Sequence, residues 1–314
     1  MILAIDTSCY TTSMALMSLE GELLADLRRV LDVPLGKRGL AQSEALFQHT
    51  RNLPCLIEEL GAERELGAIK AIGASVRPRP VEGSYMPVFL GGHNVCRILS
   101  AAMKAPLYEV SHQEGHMAAA MFSANYPKKS EAFLMCHFSG GTSEICLSKY
   151  RGPGSYSLEL ISYSGDLHAG QLVDRIGVAL GLKFPTGQEL EKLALTVEGE
   201  VPKIRTHMDK NGVFSFSGPE TALVRLISGG LEPAAAARVV EETIARSLKK
   251  ALEYAMEKTQ TRTVLLAGGV MSNQYICRKL KGASLFFAEP RYATDNAVGV
   301  ACLTLEQYKY SGCC

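Results

Sequence analysis

The hydrophobic and polar positions divide the chain into two similar runs of elements. Residues 2–6 form an apolar run, and residues 12–18 and 22–30 follow as strands after short polar turns. A helix is predicted over about 41–60, a strand over 70–76, a helix over about 84–103 and a short strand over 106–110. The order then recurs. Strands are predicted at 131–138, 143–149 and 157–164, and helices at 170–181 and 235–259. A strand at 264–267 runs into Gly268-Gly269 and a helix from about Ser272. A strand near 285–287 and a helix from about Asp295 to Tyr308 close the pattern. Two copies of three hairpin-joined strands, each followed by helix, strand, helix, strand and helix, predict an internal duplication. The expected architecture is two α/β lobes with mixed sheets around a cleft. The boundaries expected are an N-terminal lobe over 1–110, a helix and connection over 111–130, and a C-terminal lobe over 131–314. The final helix is a candidate to pack back on the first lobe.

Composition narrows the class. The 314 residues are 47% hydrophobic and 21% charged, which suits a buried globular protein of about two domains. A net charge of +1 offers no bulk attraction to nucleic acid or membrane, so any RNA contact needs a local patch. Arg77-Pro78-Arg79 and Arg278-Lys279-Leu280-Lys281 are candidates, although runs this short are usually solvated surface. Nine cysteines without a C-x-x-C pair point to reduced thiols and a cytoplasmic setting. Met1 leads straight into an apolar strand, so no signal peptide is expected, and Gly312-Cys313-Cys314 does not form a prenylation box. No apolar stretch is long enough to span a bilayer.

The chemistry concentrates at Ser111-His112-Gln113-Glu114-Gly115-His116. Ser111 and Glu114 fit an S-x-x-E capping box, which starts a helix at His112. His112 and His116 then lie one turn apart on one face, the spacing at which two imidazoles share a divalent metal. Thr294-Asp295-Asn296 offers a distant carboxylate to complete the set. The zincin pattern H-E-x-x-H is absent, because Glu114 does not follow the first histidine. Loops recur at matching places: Asp6-Thr7-Ser8, which is polar and has no glycine, and Ser139-Gly140-Gly141-Thr142 between first and second strands, and Ala267-Gly268-Gly269 between a strand and a helix. Each is either a tight turn, needing glycine in the latter two, or a cradle of N–H groups for an anion. Three of them together favour a nucleotide-like ligand.

These residues resemble the TsaD/Gcp family of the actin, sugar-kinase and Hsp70 (ASKHA) superfamily. Its members, once called glycoproteases, make threonylcarbamoyladenosine in tRNA at the adenosine next to the anticodon. The resemblance is carried by Ala4–Cys9, Val110–His116, Ser139-Gly140-Gly141, Gly170–Arg175, Phe184–Gly187 with Glu191, Phe214–Gly218, Ala267–Asn273 and Thr294–Ala297. It implies one divalent metal, iron or zinc, on His112, His116 and Asp295. His137 is a candidate fourth ligand, or a satisfied histidine at a strand end. It implies an ATP- or AMP-type ligand near His137, Phe138, Ser139, Gly140, Gly141, Asp174, Gly187, Glu191, Gly268, Gly269 and Asn273. Read from their own positions, Asp174 also suits a helix N-terminus, Asn273 a helix cap and Glu191 a solvated helix face. The resemblance also implies tRNA as substrate, a smaller ASKHA homologue (TsaB-like) and an ATPase subunit (TsaE-like) as partners, and no membrane.

The chain departs from the family at Tyr10 and Thr11, where two acids are usual. It departs again at Arg77–Met86, where a glycine-proline-glycine turn is usual, and at Thr142, where histidine or asparagine is usual. The expected function is threonylcarbamoyl transfer. The alternative is a paralogue that binds nucleotide and metal for another carbamoyl or phosphoryl transfer, or that only binds partners. A sugar or acetate kinase is disfavoured because no catalytic acid stands beside the N-terminal loop, and a protease because no nucleophile–base pair is evident.

Overall fold

A computed structural model describes the chain except residues 35–38, 64, 125, 127–131, 281, 283 and 313–314. Lys281, Cys313 and Cys314 therefore lie outside the described residues. The fold separates into two compact units. One holds Met1–Pro127, Tyr150–Ser157 and Thr294–Cys314, and the other Lys128–Lys149 and Leu158–Ala293.

The first unit is built on a five-stranded sheet. Its strands are β1 (Ile2–Asp6), β2 (Thr11–Met17), β3 (Leu23–Val30), β4 (Ala71–Arg77) and β5 (Leu107–Ser111). They lie in the order β3-β2-β1-β4-β5, with β1 antiparallel to β2 and parallel to β4. Strand β1 is central and buried on both faces, which explains its unbroken apolar run. Helix α1 (Gln42–Glu63) contributes Leu53, Leu56 and Leu60 to a core with Leu3, Ile5, Met14, Leu16 and Ile72. Helix α2 (Phe89–Met103) begins later than predicted, because Pro80, Pro87 and the turn at 82–83 occupy the preceding segment. Helix α3 (His112–Ser123) follows β5 directly.

The second unit repeats this order. Its strands are β6 (Ala132–Phe138), β7 (Ser143–Gly152), β8 (Ser155–Ser164), β9 (His207–Met208), β10 (Val213–Ser215), β11 (Val264–Ala267) and β12 (Leu285–Phe287). Reading β8-β7-β6-β11-β12 gives the same topology as β3-β2-β1-β4-β5, with β10 and β9 added beyond β8. The duplication legible in the pattern is thus a duplication of strand order. The helices are α4 (Ala169–Ala179), α5 (Gly187–Leu195), α6 (Ser217–Ser228), α7 (Pro233–Thr259) and α8 (Gln274–Lys279). Elements α5, β9, β10 and α6 have no predicted counterpart. The two- and three-residue strands leave no period to read and α5 has only nine residues, whereas α6, with 12 residues, is as long as α3 and its length does not explain the omission. The core packs α7 on β6 and β11, with Phe138 and Phe214 stacked at 5.7 Å.

A one-turn helix α9 (Pro290–Ala293) precedes the last helix, α10 (Val298–Tyr310). Helix α10 belongs to the first unit and packs on α3, β4 and β1. The approach is close: a Cβ on Gly299 would stand 1.8 Å from the Gly115 carbonyl, and one on Gly73 would stand 2.0 Å from Thr304 Oγ1. No disulfide forms among the described residues, and none of their helices is long and apolar enough to cross a membrane.

Candidate metal centre and nucleotide-loop residues

Three segments of the first unit converge on one point. The first turn of α3 is set by the predicted capping box. Ser111 Oγ accepts from Glu114 N (3.2 Å), and Glu114 Oε2 accepts from Ser111 N (3.0 Å) and Ser111 Oγ (2.6 Å). The next orphan donor, Gln113 N–H, reaches Pro78 O at 3.1 Å. The divergent segment Arg77–Met86 therefore backs the start of the histidine helix. It is itself closed by Arg79 N donating to Ser84 Oγ at 3.0 Å.

His112 and His116 then point the same way, with their Nε2 atoms 3.0 Å apart. Asp295 Oδ1 lies 3.1 Å from His116 Nε2 and 3.6 Å from His112 Nε2. Asn296 holds the turn that presents Asp295, donating to Thr294 O at 2.7 Å and accepting from Val298 N at 3.0 Å. Bonds of about 2.1 Å to one cation place ligand atoms about 3.0 Å apart in an octahedron and about 3.4 Å apart in a tetrahedron. The three observed edges fall on that scale, so the donor set fits a divalent metal of the two-histidine, one-carboxylate kind.

The sequence reading did not assign Asp6 or Cys9. Asp6 ends the buried strand β1, and its Oδ2 lies 3.0 Å from His112 Nδ1. Its other oxygen accepts from Ser8 N at 2.8 Å, which fixes the carboxylate. A ring that donates Nδ1–H to a carboxylate turns its Nε2 lone pair toward the centre, the arrangement that orients metal-bound histidines. Burial opposes charge on His112, but Asp6 together with Cys9 outweighs it and holds its pKa well above the ordinary value, so a metal at Nε2 would take the place of the proton there. His116 moves the other way, through burial and then the charged His112 beside it. The loop is anchored by Thr7, whose Oγ1 donates to Val88 O (3.1 Å) and accepts from Gly92 N (3.0 Å). A ligand atom from each of Cys9, His112 and Asp295 lies within 4.8 Å of the others, and Cys9 sits at φ 49°. The one visible signal was an aspartate closing an apolar strand. Its partner, 106 positions away, was not readable.

The other predicted residues belong to the second unit. His137 and Phe138 end β6. His137 is buried, and the Phe138 side chain is fully enclosed, so any ligand contact at Phe138 uses its main chain. Ser139 closes the following turn: its Oγ accepts from Gly141 N (3.3 Å) and Thr142 N (3.1 Å), and its N donates to Thr142 O (2.7 Å). Gly140 and Gly141 are exposed, and nothing would touch a Cβ on either. Gly170 seats α4 on this turn, where a Cβ would stand 2.5 Å from Gly140 N.

Asp174 is half-buried, and burial raises its carboxyl pKa. Its Oδ1 accepts from Thr186 N (2.8 Å) and Thr186 Oγ1 (3.3 Å), which leaves Oδ2 for another donor. Gly187 starts α5 with open space around it. Glu191 Oε1 accepts from Gln274 N at 2.8 Å and so covers the start of α8, on the rim of a cavity of about 260 Å³. Gly268 is structural, with φ 97° and a Cβ position 2.3 Å from Phe138 O, whereas Gly269 is open. Asn273 caps α8 through Ile276 N (2.9 Å) and donates to Glu241 Oε1 (2.6 Å). Glu241 also pairs with Arg238 at 2.6 Å; burial outweighs both partners and pushes its carboxyl up to about 7. This pair was not anticipated, although Arg238 and Glu241 three apart in an alanine- and valine-rich helix were a visible signal.

Known proteins place the chain. The family described as tRNA N6-adenosine threonylcarbamoyltransferase (TsaD) matches residues 35–302. A protein of that name from Neorickettsia sennetsu is 30% identical over 329 residues, covering 100% of this chain and 95% of its own length. Its namesake from Thermus thermophilus is 30% identical over 317 residues, covering 96% and 90%. The fold is also that of HypF in its phosphate- and nucleotide-bound form, with a TM-score of 0.61 at 13% identity, over 98% of this chain and 46% of that one. Component A of the (R)-2-hydroxyglutaryl-CoA dehydratase of Acidaminococcus fermentans has a TM-score of 0.57 at 14% identity, over 98% and 97%. With the match spanning most of its length, the chain belongs to the TsaD family of tRNA N6-adenosine threonylcarbamoyltransferases.

Proposed function

We propose that this protein transfers the threonylcarbamoyl group from threonylcarbamoyl-AMP to the adenosine next to the anticodon of tRNA. The N6 nitrogen forms a bond to the carbamoyl carbon, the bond from that carbon to the phosphate oxygen breaks, and AMP and a proton leave. The observation that carries this reading is the convergence of His112, His116 and Asp295, with Asp6 setting the His112 tautomer. These residues would hold one divalent ion, iron or zinc. When bound, such an ion polarises an acyl oxygen and orients it.

The chain's own groups supply the positioning. Asp6 keeps the proton on His112 Nδ1, so that Nε2 faces inward. The capping box and the Pro78 carbonyl hold the first turn of α3 in place. In the second unit, Asp174 Oδ2 would accept a ribose hydroxyl, and the exposed turn at Gly140-Gly141 would take phosphate or acyl oxygens of an ATP- or AMP-type ligand. Gly187, Glu191, Gly269 and the Asn273 cap frame that ligand, with His137 beside the Gly268 turn. A TsaB-like homologue, a TsaE-like ATPase and a cytoplasmic location complete the reading. Nothing in the fold or the relatives favours the paralogue alternative.

The test combines metal content with reconstitution. Purified protein is expected to carry one equivalent of iron or zinc, to lose it in His116→Ala, and to form threonylcarbamoyladenosine with tRNA, threonine, bicarbonate, ATP and its partners. A protein that carries no metal and yields no modified nucleoside would overturn the proposal.

A further inference from the structure

A second cavity of the second unit, about 480 Å³, is lined by Arg205, Thr206, His207, Met208, Arg246 and Lys250. Among the described residues no carboxylate lines it. Arg205, His207 and Lys250 are exposed, and none of Arg205, Arg246 and Lys250 has an acidic partner within ion-pair distance among the described residues. The cations are positioned instead by neutral acceptors. Arg246 donates through Nε to Glu242 O (3.2 Å) and through its terminal nitrogen to Ile204 O (2.9 Å), and Lys250 Nζ donates to buried Thr206 Oγ1 (3.0 Å). The nearby acids have other hydrogen-bond partners. Asp209 accepts from Asn211 N and Val213 N at 2.8 Å, and the Glu242 carboxylate is taken by Tyr275 and by Lys279 at 3.0 Å. Arg246 is partly balanced by the Glu242 carboxylate one turn away, but no carboxylate is paired with Arg205 or Lys250 among the described residues, so two unneutralised positive charges face one cavity in a protein of net charge +1.

We propose that this pocket seats a backbone phosphate of the tRNA substrate. The inference rests on the transferase reading above and adds to it a docking point. Guanidinium and ammonium groups match phosphate oxygens. Contacts from these cations to a phosphate would position the RNA and carry no sequence information directly. A free phosphate offers the same oxygens, but two of the cationic side chains, Arg205 and Lys250, are open to solvent, as a long polymer requires.

The experiment measures the affinity of unmodified tRNA for wild type and for Arg205→Glu/Lys250→Glu, with Arg205→Ala/Lys250→Ala as the milder pair, at several salt concentrations. Metal content and turnover at saturating tRNA are followed in parallel. The expected result is roughly tenfold weaker tRNA binding in the charge-reversed pair and a salt slope lower by about one to two, with metal content and saturated turnover kept. Wild type that binds and modifies tRNA while both pairs bind it with unchanged affinity and slope overturns the seat alone. Wild type that neither binds nor modifies tRNA overturns the transferase reading and the seat with it. A titration with inorganic phosphate separates the sources: saturable phosphate binding that the variants lose, with tRNA affinity unchanged, assigns the pocket to a free anion and overturns the proposal.

Discussion

Asp6 and His112 are joined by one hydrogen bond, and that bond decides which ring nitrogen faces the other ligands. Asn at position 6 keeps an oxygen for Ser8 N but no longer holds the His112 proton in one place. Asp6→Asn is therefore expected to weaken metal binding about 10–100-fold while leaving the secondary structure unchanged, as chelator competition and circular dichroism would report. Single residues also show how far sequence reading reached. His112, His116 and Asp295 were nameable from helical spacing and family resemblance. Asp6 was not, because its role comes from a strand end that only the folded sheet brings beneath α3.

At the scale of elements, α3 is fixed from both ends of the chain. Its first turn is held by Ser111, Glu114 and Pro78, and its body is pressed against α10 where Gly299 meets the Gly115 carbonyl. Ser111→Ala removes the acceptor for Glu114 N and is expected to cost about 1 kcal/mol, measured by denaturant unfolding. The metal affinity of this variant should fall as well, since the same turn aims both imidazoles. The capping box was legible because it is local, three residues from end to end. The return of the last helix to the first lobe was expected, and the resemblance grouped Asp295 with the two histidines across nearly 180 positions, but the close seat of Gly299 on the Gly115 carbonyl was not legible, because helix–helix contact leaves no local signal. Helix α5 and the small strands β9 and β10 were missed for a different reason: they are too short to show a period, and tertiary contacts hold them.

At the scale of the whole molecule, the buried Glu241–Arg238 pair carries a readable pH signature. Glu241 is buried, hydrogen-bonded to Asn273 and Arg238, and its carboxyl sits at about 7. Its folded pKa lies above its unfolded value, so the stability it contributes is complete below the ordinary carboxylate range and is lost as pH rises through 7. Between about pH 4.5 and 7, Glu241→Gln is expected to lose less stability than wild type. A constant offset between the two reflects the altered pairing with Arg238, and unfolding midpoints across that interval would separate offset from slope. Equal slopes in the two proteins would remove Glu241 as the source.

The duplicated α/β order, the capped histidine helix and the glycine loops were written in the sequence, because periodicity, caps and turns act between near neighbours. The β3-β2-β1-β4-β5 order repeated as β8-β7-β6-β11-β12, the Asp6 carboxylate behind His112, the cationic lining shared by Arg205, Arg246 and Lys250 and the buried Glu241 pair were decided by tertiary structure. Each depends on residues far apart in the chain, whose contact is set by which strands pair and which helix faces meet.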